Sequence, residues 1–205
     1  PIIATLAMQL VLYGAASIYF DREPYGAQPI GGITNRITDI CIKSLKIGPL
    51  QIPYLIIIAA VIVAAMWILW NKTKFGKYMY AIGGNPEAAQ VSGVNVVKIQ
   101  VSIYALAAIL YAFAAVLEVG RIGSASNTTG NGYEMDAIAS CVVGGVSMSG
   151  GIGTVGGIVI GVLIFTVINY GLSFIGVNMY WQYIVKGLII LLAVIIDMRK
   201  YAKRK

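Results

Sequence analysis

Residues 53–70, PYLIIIAAVIVAAMWILW, run on without one charged side chain. A stretch of this length matches the hydrocarbon thickness of a bilayer, and in lipid a helix is the one open segment that satisfies its own backbone. Tyr54, Trp67 and Trp70 stand near its ends, where amphipathic aromatics meet the headgroups. Similar runs recur at 1–20, 99–117, 154–175 and 180–196, the first weakened by Gln9 and Gly14. The chain is 59% hydrophobic and 11% charged, with mean hydropathy +0.82. A soluble domain carries about a quarter charged residues. The pattern predicts an all-α membrane protein, a polytopic helical bundle forming a single transmembrane domain over residues 1–205. Pro1 opens inside an apolar run with neither initiator methionine nor signal peptide, so the domain reads as N-terminally truncated.

The net charge of +7 reports orientation in such a chain, and nucleic acid is not an expected partner. Loop 72–98 holds four lysines against Glu87, a net +3, and tail 197–205 holds five basic residues against Asp197, a net +4. Loop 21–52 has four basic and three acidic residues, a net +1, and loop 121–136 has Arg121 against Glu134 and Asp136, a net −1. The positive-inside rule puts 72–98 and the C-terminus in the cytoplasm, with loops 21–52 and 118–136 outside. Loop 21–52 is turn-rich, with a short helix expected near Asn35–Leu45.

Parity then forces a further step. With spans only at 154–175 and 180–196 after the outer loop, the basic tail would end outside. The apolar segment 137–149, too short for one straight span, must therefore cross as well. We expect about six crossings, one of them (137–157) tilted, broken or re-entrant and interrupted by the run Gly150–Gly157. Interrupted membrane helices are where transporters place ligand or ion sites. Gly144, Gly145, Gly150, Gly151, Gly153 and Gly157 are thus pathway or packing candidates. Gly153, Gly157 and Gly161 fall every four residues, a spacing that lets another helix approach closely. Asn169 and Tyr170, inside an otherwise apolar run, offer a sugar hydrogen bonds and a ring face, or serve another helix in the same way.

The polar loop 72–98 contains one sharply bounded helix, Pro86–Ser92. Asn85 can cap it, Pro86 suits its first position, Glu87 complements the dipole, and Gly93 suits the left-handed residue after its end. Two turns do not persist alone in water. The small Ala88 and Ala89 let another surface come close, so we read a docking helix.

No catalytic site is expected. The chain has no histidine, no metal-binding cluster, no nucleophile elbow and no phosphate-binding P-loop, so it should need no metal or cofactor. Cys41 and Cys141 form neither a disulfide framework nor a metal site. Residues 151–156 match GxGxxG, but membrane segments flank it where a dinucleotide site needs a strand and a soluble helix. Glu118, Arg121 and Asp136 are the outer-face candidates, with Glu118 and Arg121 spaced to pair on one helix turn. Lys186, in the last span, is expected to snorkel outward.

Four blocks carry a resemblance. FGKYMYAIGGNPEAAQVSGV (75–94) resembles the cytoplasmic loop of sugar permeases of ATP-binding-cassette importers, the ribose/galactose type. ASCVVGGVSMSGGIGTVGGIVIG (139–161) resembles their glycine-rich segment. GRIGSASNTTGNGYEMDAIASCVVGG (120–145) and INYGLSFIGVNMYWQYIVKG (168–187) are most similar to the galactose/methyl-galactoside members. The resemblance implies a multi-pass protein of the bacterial inner membrane that passes a monosaccharide by alternating access. It implies as partners an ATPase subunit below, a second permease chain, a periplasmic sugar-binding protein above, and lipid around. By position it gives the ATPase-coupling role to Asn85, Glu87, Ala88, Ala89 and Gly93. On the residues alone, an ion-coupled secondary transporter with Glu118 and Asp136 as relays stays open.

Overall fold

In the computed structural model, residues 2–22, 28–32, 36–48 and 50–202 are described. They form nine helices and one two-stranded hairpin, so the expected helical architecture holds. The chain divides into two compact units. One holds residues 1–61 and 106–131, the other 62–105 and 132–205.

In the first unit, α1 (Ile2–Phe20) is followed by the short α2 (Arg36–Ile42), close to the expected helix. The hairpin of β1 (Ser44–Ile47) and β2 (Leu50–Pro53) comes next, pairing Ser44 with Pro53 and Leu45 with Ile52. That hairpin was not foreseen. Each strand is four residues long, too short for an alternating pattern to stand out. Loops 21–52 and 118–136, both read as external, meet here. Ile30 and Ala125 exchange backbone hydrogen bonds of 2.9 Å each way, and the Asn127 amide donates to Ser17 Oγ at 3.3 Å.

Helices α3 (Tyr54–Lys72) and α6 (Val96–Ile122) each begin in one unit and end in the other. With α1 and α8 (Val155–Phe174) they are the four helices long and apolar enough to cross a membrane among the described residues. A fifth apolar stretch, Met179–Ile195, lies within α9 (Met179–Ala202), which continues into the basic tail. Residues 203–205 lie outside the described residues. At its start α6 is capped by Asn95, whose side chain accepts from the Lys98 N–H at 2.9 Å. At its end the Arg121 guanidinium grips Glu118 through two bonds of 2.7 and 3.0 Å, as the i,i+3 spacing predicts. This pair carries the helix into what was expected to be loop.

The second unit contains the two features that matter most. Loop 72–98 holds two helices rather than one: α4 (Lys74–Gly84) and α5 (Pro86–Val91). The segment expected to make the extra crossing holds α7 (Tyr133–Val143), which packs against α8 and α9. Eleven residues rise about 16 Å, half a bilayer core. This helix ends before Gly144 and Gly145, not at the expected Gly150–Gly157. Gly145 adopts φ 84°, and its N–H and that of Val146 bond back to the Val142 and Cys141 carbonyls at 2.9 and 3.0 Å. A helix whose last carbonyls are satisfied this way stops there, and only glycine takes that conformation freely.

Candidate functional site

The expected docking helix is present within one residue of its predicted end. Asn85 Oδ1 accepts from the Ala88 N–H at 3.0 Å, Pro86 fills the first position, and Glu87 stands in the first turn. At the other end Ser92 caps, Gly93 takes φ 84°, and the N–H groups of Gly93 and Val94 bond to Gln90 and Ala89 carbonyls at 3.0 and 3.1 Å. Local hydrogen bonds therefore close both termini of a six-residue helix. Its faces differ. Ala89 is buried within this chain, whereas Glu87, Ala88 and Gln90 are exposed and Val91 is 90% exposed. Ala89 thus seats the helix, and the other four form an exposed face.

What seats it is α4, which the sequence reading missed. Thr73 joins α3 to α4: its hydroxyl donates to the Leu69 carbonyl at 2.5 Å and its oxygen accepts from the Gly76 N–H at 3.3 Å. Gly76 lies directly on the Trp70 backbone, and Trp70 Nε1 points at Met79 Sδ, 3.1 Å away. The signal was available: Thr73 is a cap residue, and Phe75, Met79 and Ile82 recur at helical spacing. Asn85 serves both helices. Its N–H closes α4 on the Ala81 carbonyl at 3.0 Å while its side chain opens α5.

The end of α4 rests on the turn between α7 and α8. Gly83 and Gly84 face Gly150 and Gly151 backbone to backbone. A β-carbon on Gly83 would lie 2.5 Å from the Gly151 nitrogen, and one on Gly151 would lie 2.8 Å from the Gly84 nitrogen. The Tyr80 hydroxyl donates to the Gly153 carbonyl at 2.7 Å. Beyond the turn, Thr154 caps α8 by accepting from the Gly157 N–H at 3.0 Å.

Of the glycines expected to serve the pathway or packing, Gly144 and Gly157 lie in close backbone contact, whereas Gly145 has open space beside it. Gly144 and Gly157 touch through their backbones, and Gly161 lies against the Ser140 carbonyl, with no room for a β-carbon at any of the three. Antiparallel helices thus meet at small residues, which let backbones close in where lipid gives helices no hydrophobic drive to associate. Gly153 is a correction to the expected stripe. It precedes α8 in near-extended backbone and packs on Val146 instead of sharing a face with Gly157 and Gly161.

At the other end of α7 the expectation for Lys186 fails. Lys186 does not snorkel outward. Its ammonium donates to both oxygens of Asp136 at 2.8 and 3.0 Å and lies 5.8 Å from the centre of the Phe165 ring. With side chains 21% and 34% exposed, the pair ties α7 to α9 across a face of α8. A carboxylate within reach outweighs the gain from a longer path to water. Asn169 and Tyr170, adjacent in α8, diverge. Tyr170 is 72% exposed, while Asn169 Oδ1 is buried with no hydrogen-bond partner among the described residues. A buried acceptor without a donor costs about 1–3 kcal/mol, and no donor for this oxygen lies among the described residues.

The family described as "Branched-chain amino acid transport system / permease component" matches residues 1–194. The chain is 55% identical, over all 205 of its residues, to the galactose/methyl galactoside import permease proteins MglC of Haemophilus influenzae and of Escherichia coli. It is 42% identical over 199 residues, 97% of its length, to the ribose import permease protein RbsC of Escherichia coli. The chain spans 60% of the length of each of these relatives. No solved structure matches it.

Proposed function

We infer that this chain, which belongs to the branched-chain amino acid transport system / permease component family, is part of the membrane pathway of an ATP-driven sugar importer in a bacterial inner membrane. The observation that carries the reading is the α4–α5 pair: a doubly capped helix with an exposed face, standing on the turn of an interrupted membrane helix. A pathway that is opened by another protein's motion needs a handle of this kind. Galactose or methyl galactoside is the substrate we favour, from the similarity to the MglC proteins, with ribose next.

The exposed face of α5 meets a separate ATPase subunit in the cytoplasm, with Asn85 and Gly93 holding the helix in shape and Glu87 and Ala88 on the contact. A second permease chain completes the pathway, and a periplasmic protein delivers the sugar. ATP binds the ATPase better in one global state, and that difference drives the permease from outward to inward facing. The chain hydrolyses nothing itself. The contacts between loops 28–32 and 124–126, and between the end of α4 (80–84) and the turn 150–153, support an assignment of each pair to one side of the membrane. The basic tail then ends in the cytoplasm.

An ion-coupled transporter would use Glu118 and Asp136 as proton relays. Both carboxylates are held instead by cations within 3.0 Å. The discriminating experiment is uptake of radiolabelled galactose by cells carrying the intact system, with ribose and xylose as competitors. Uptake should stop on ATP depletion and survive collapse of the proton gradient; the reverse outcome would establish the ion-coupled reading.

A further inference from the structure

We propose that the contact of Gly83 with Gly150 and Gly151 is the joint through which a displacement of α5 reaches the interrupted segment, with Gly83 and Gly151 as positioning residues for transport; this rests on the importer reading above. Three observations build it. First, α4 and α5 share Asn85 as cap, so no flexible linker separates the outward-facing helix from Gly83. Second, the contact is backbone on backbone, so no side chain at it can change rotamer and absorb the motion. Third, the Tyr80–Gly153 hydrogen bond of 2.7 Å fastens the same two segments a second time, with polar geometry that resists sliding.

Past the joint, the contact continues in the same fashion. Gly150 and Gly151 lie on the turn that leads through Thr154 into α8, and Gly144 and Gly161 lock α8 onto α7. A push on α5 therefore arrives at the α7–α8 pair as movement of backbone. Were the two segments only neighbours, filling their contact would change stability and leave the ratio of sugar moved to ATP spent untouched.

The test uses two adjacent glycines in the same helix turn. Gly83→Ala puts a methyl into the Gly151 backbone, whereas Gly84→Ala points into open space. Alanine raises helix propensity at both, so a propensity effect would move them together. The full-length permease, reconstituted in proteoliposomes with its ATPase and binding protein, is assayed for radiolabelled galactose imported per ATP hydrolysed. G83A should lower that ratio about tenfold while ATP hydrolysis persists, and G84A should keep the unsubstituted ratio. An unchanged ratio in G83A, or an equal fall in both, overturns the joint.

A second readout does not need sugar movement. With Cys41 and Cys141 replaced by alanine, the maleimide reaction rate of an Ile152→Cys probe should change on adding ATP and vanadate, and G83A should abolish that change. No nucleotide response in the unsubstituted chain, or an undiminished one in G83A, likewise overturns it. Should the unsubstituted complex import no galactose yet show the labelling response, the substrate reading fails and the joint stands. Should G83A not assemble, Tyr80→Phe takes its place: a reduced labelling response supports the joint, and a full one overturns it.

Discussion

Removing one partner of the Asp136–Lys186 pair should weaken the permease more than removing both. At 2.8 Å and an effective dielectric constant of about 20, two unit charges attract by about 6 kcal/mol before desolvation and side-chain entropy are subtracted. Breaking a fully buried pair costs about 3–5 kcal/mol, because one charge stays behind unpaired, whereas an exposed pair is worth about 0–1 kcal/mol. With side chains 21% and 34% exposed, this pair falls between those limits, and we expect about 2 kcal/mol for Asp136→Asn or Lys186→Met. In the double variant neither charge is stranded, so its loss should be smaller than that of either single. The coupling energy from the four-variant cycle should then exceed about 2 kcal/mol. The assay is thermal inactivation of the detergent-solubilised full-length permease, followed by size-exclusion recovery. The exchanged pair, Asp136→Lys with Lys186→Asp, should regain part of the loss. Additive single losses would show that the two side chains act separately and that α7 is held to α9 by packing alone.

Helix α5 should fail when either end is opened: Asn85→Ala removes a cap worth about 1 kcal/mol, and Gly93→Val forces a β-branched residue to φ 84°. Both should assemble yet lose ATPase association in pull-down, and Glu87→Arg should do the same by opposing the dipole. Gly161→Leu should abolish assembly, since even a β-carbon meets the Ser140 carbonyl, whereas Gly156→Leu, with open space beside it, should be tolerated on immunoblots of membranes. For sidedness, a cysteine at residue 152 should be protected from an impermeant external thiol reagent while one at residue 128 reacts; labelling at both would refute the sixth crossing. Asn169→Leu should reduce galactose uptake without reducing membrane levels, because it removes an acceptor that is buried without a partner among the described residues.

What was legible in the sequence was what local physics decides. Hydropathy and length located α1, α3, α6 and α8, and cap chemistry located α5 to within a residue. The parity argument asked for a crossing at 137–149 that length alone would reject, and there the chain forms α7, which ends at Val143. The misses are contacts between distant residues. Lys186 was expected to snorkel to water, as a lysine near a span end can, but a carboxylate 50 positions away holds it. Tyr80 reaches Gly153 across 73 positions. The break after Val143 was put too late because Gly150–Gly157 is the richer glycine run, while Gly144–Gly145 holds the residue that turns left-handed. Glycine density marks where backbone can turn or touch, and hydrogen bonding decides which of the two it does.

The two ends of α7 are held by opposite means, and the bilayer gives a reason. A helix of about 16 Å cannot place its terminal peptide groups in water on both sides of a hydrocarbon core about 30 Å thick. Its C-terminal carbonyls are met by the N–H groups of Gly144, Gly145 and Val146, and backbone contact with α8 excludes lipid there. Toward the N-terminus, Asp136 stands in the first turn, where negative charge favours the dipole, and Lys186 neutralises it from α9. Glycine contacts act only at van der Waals range and fix the spacing of the backbones. An ion pair keeps its attraction over several ångströms and allows the partners to shift while joined. The glycine end of α7 is therefore held more closely in position than the end joined to α9 by the ion pair.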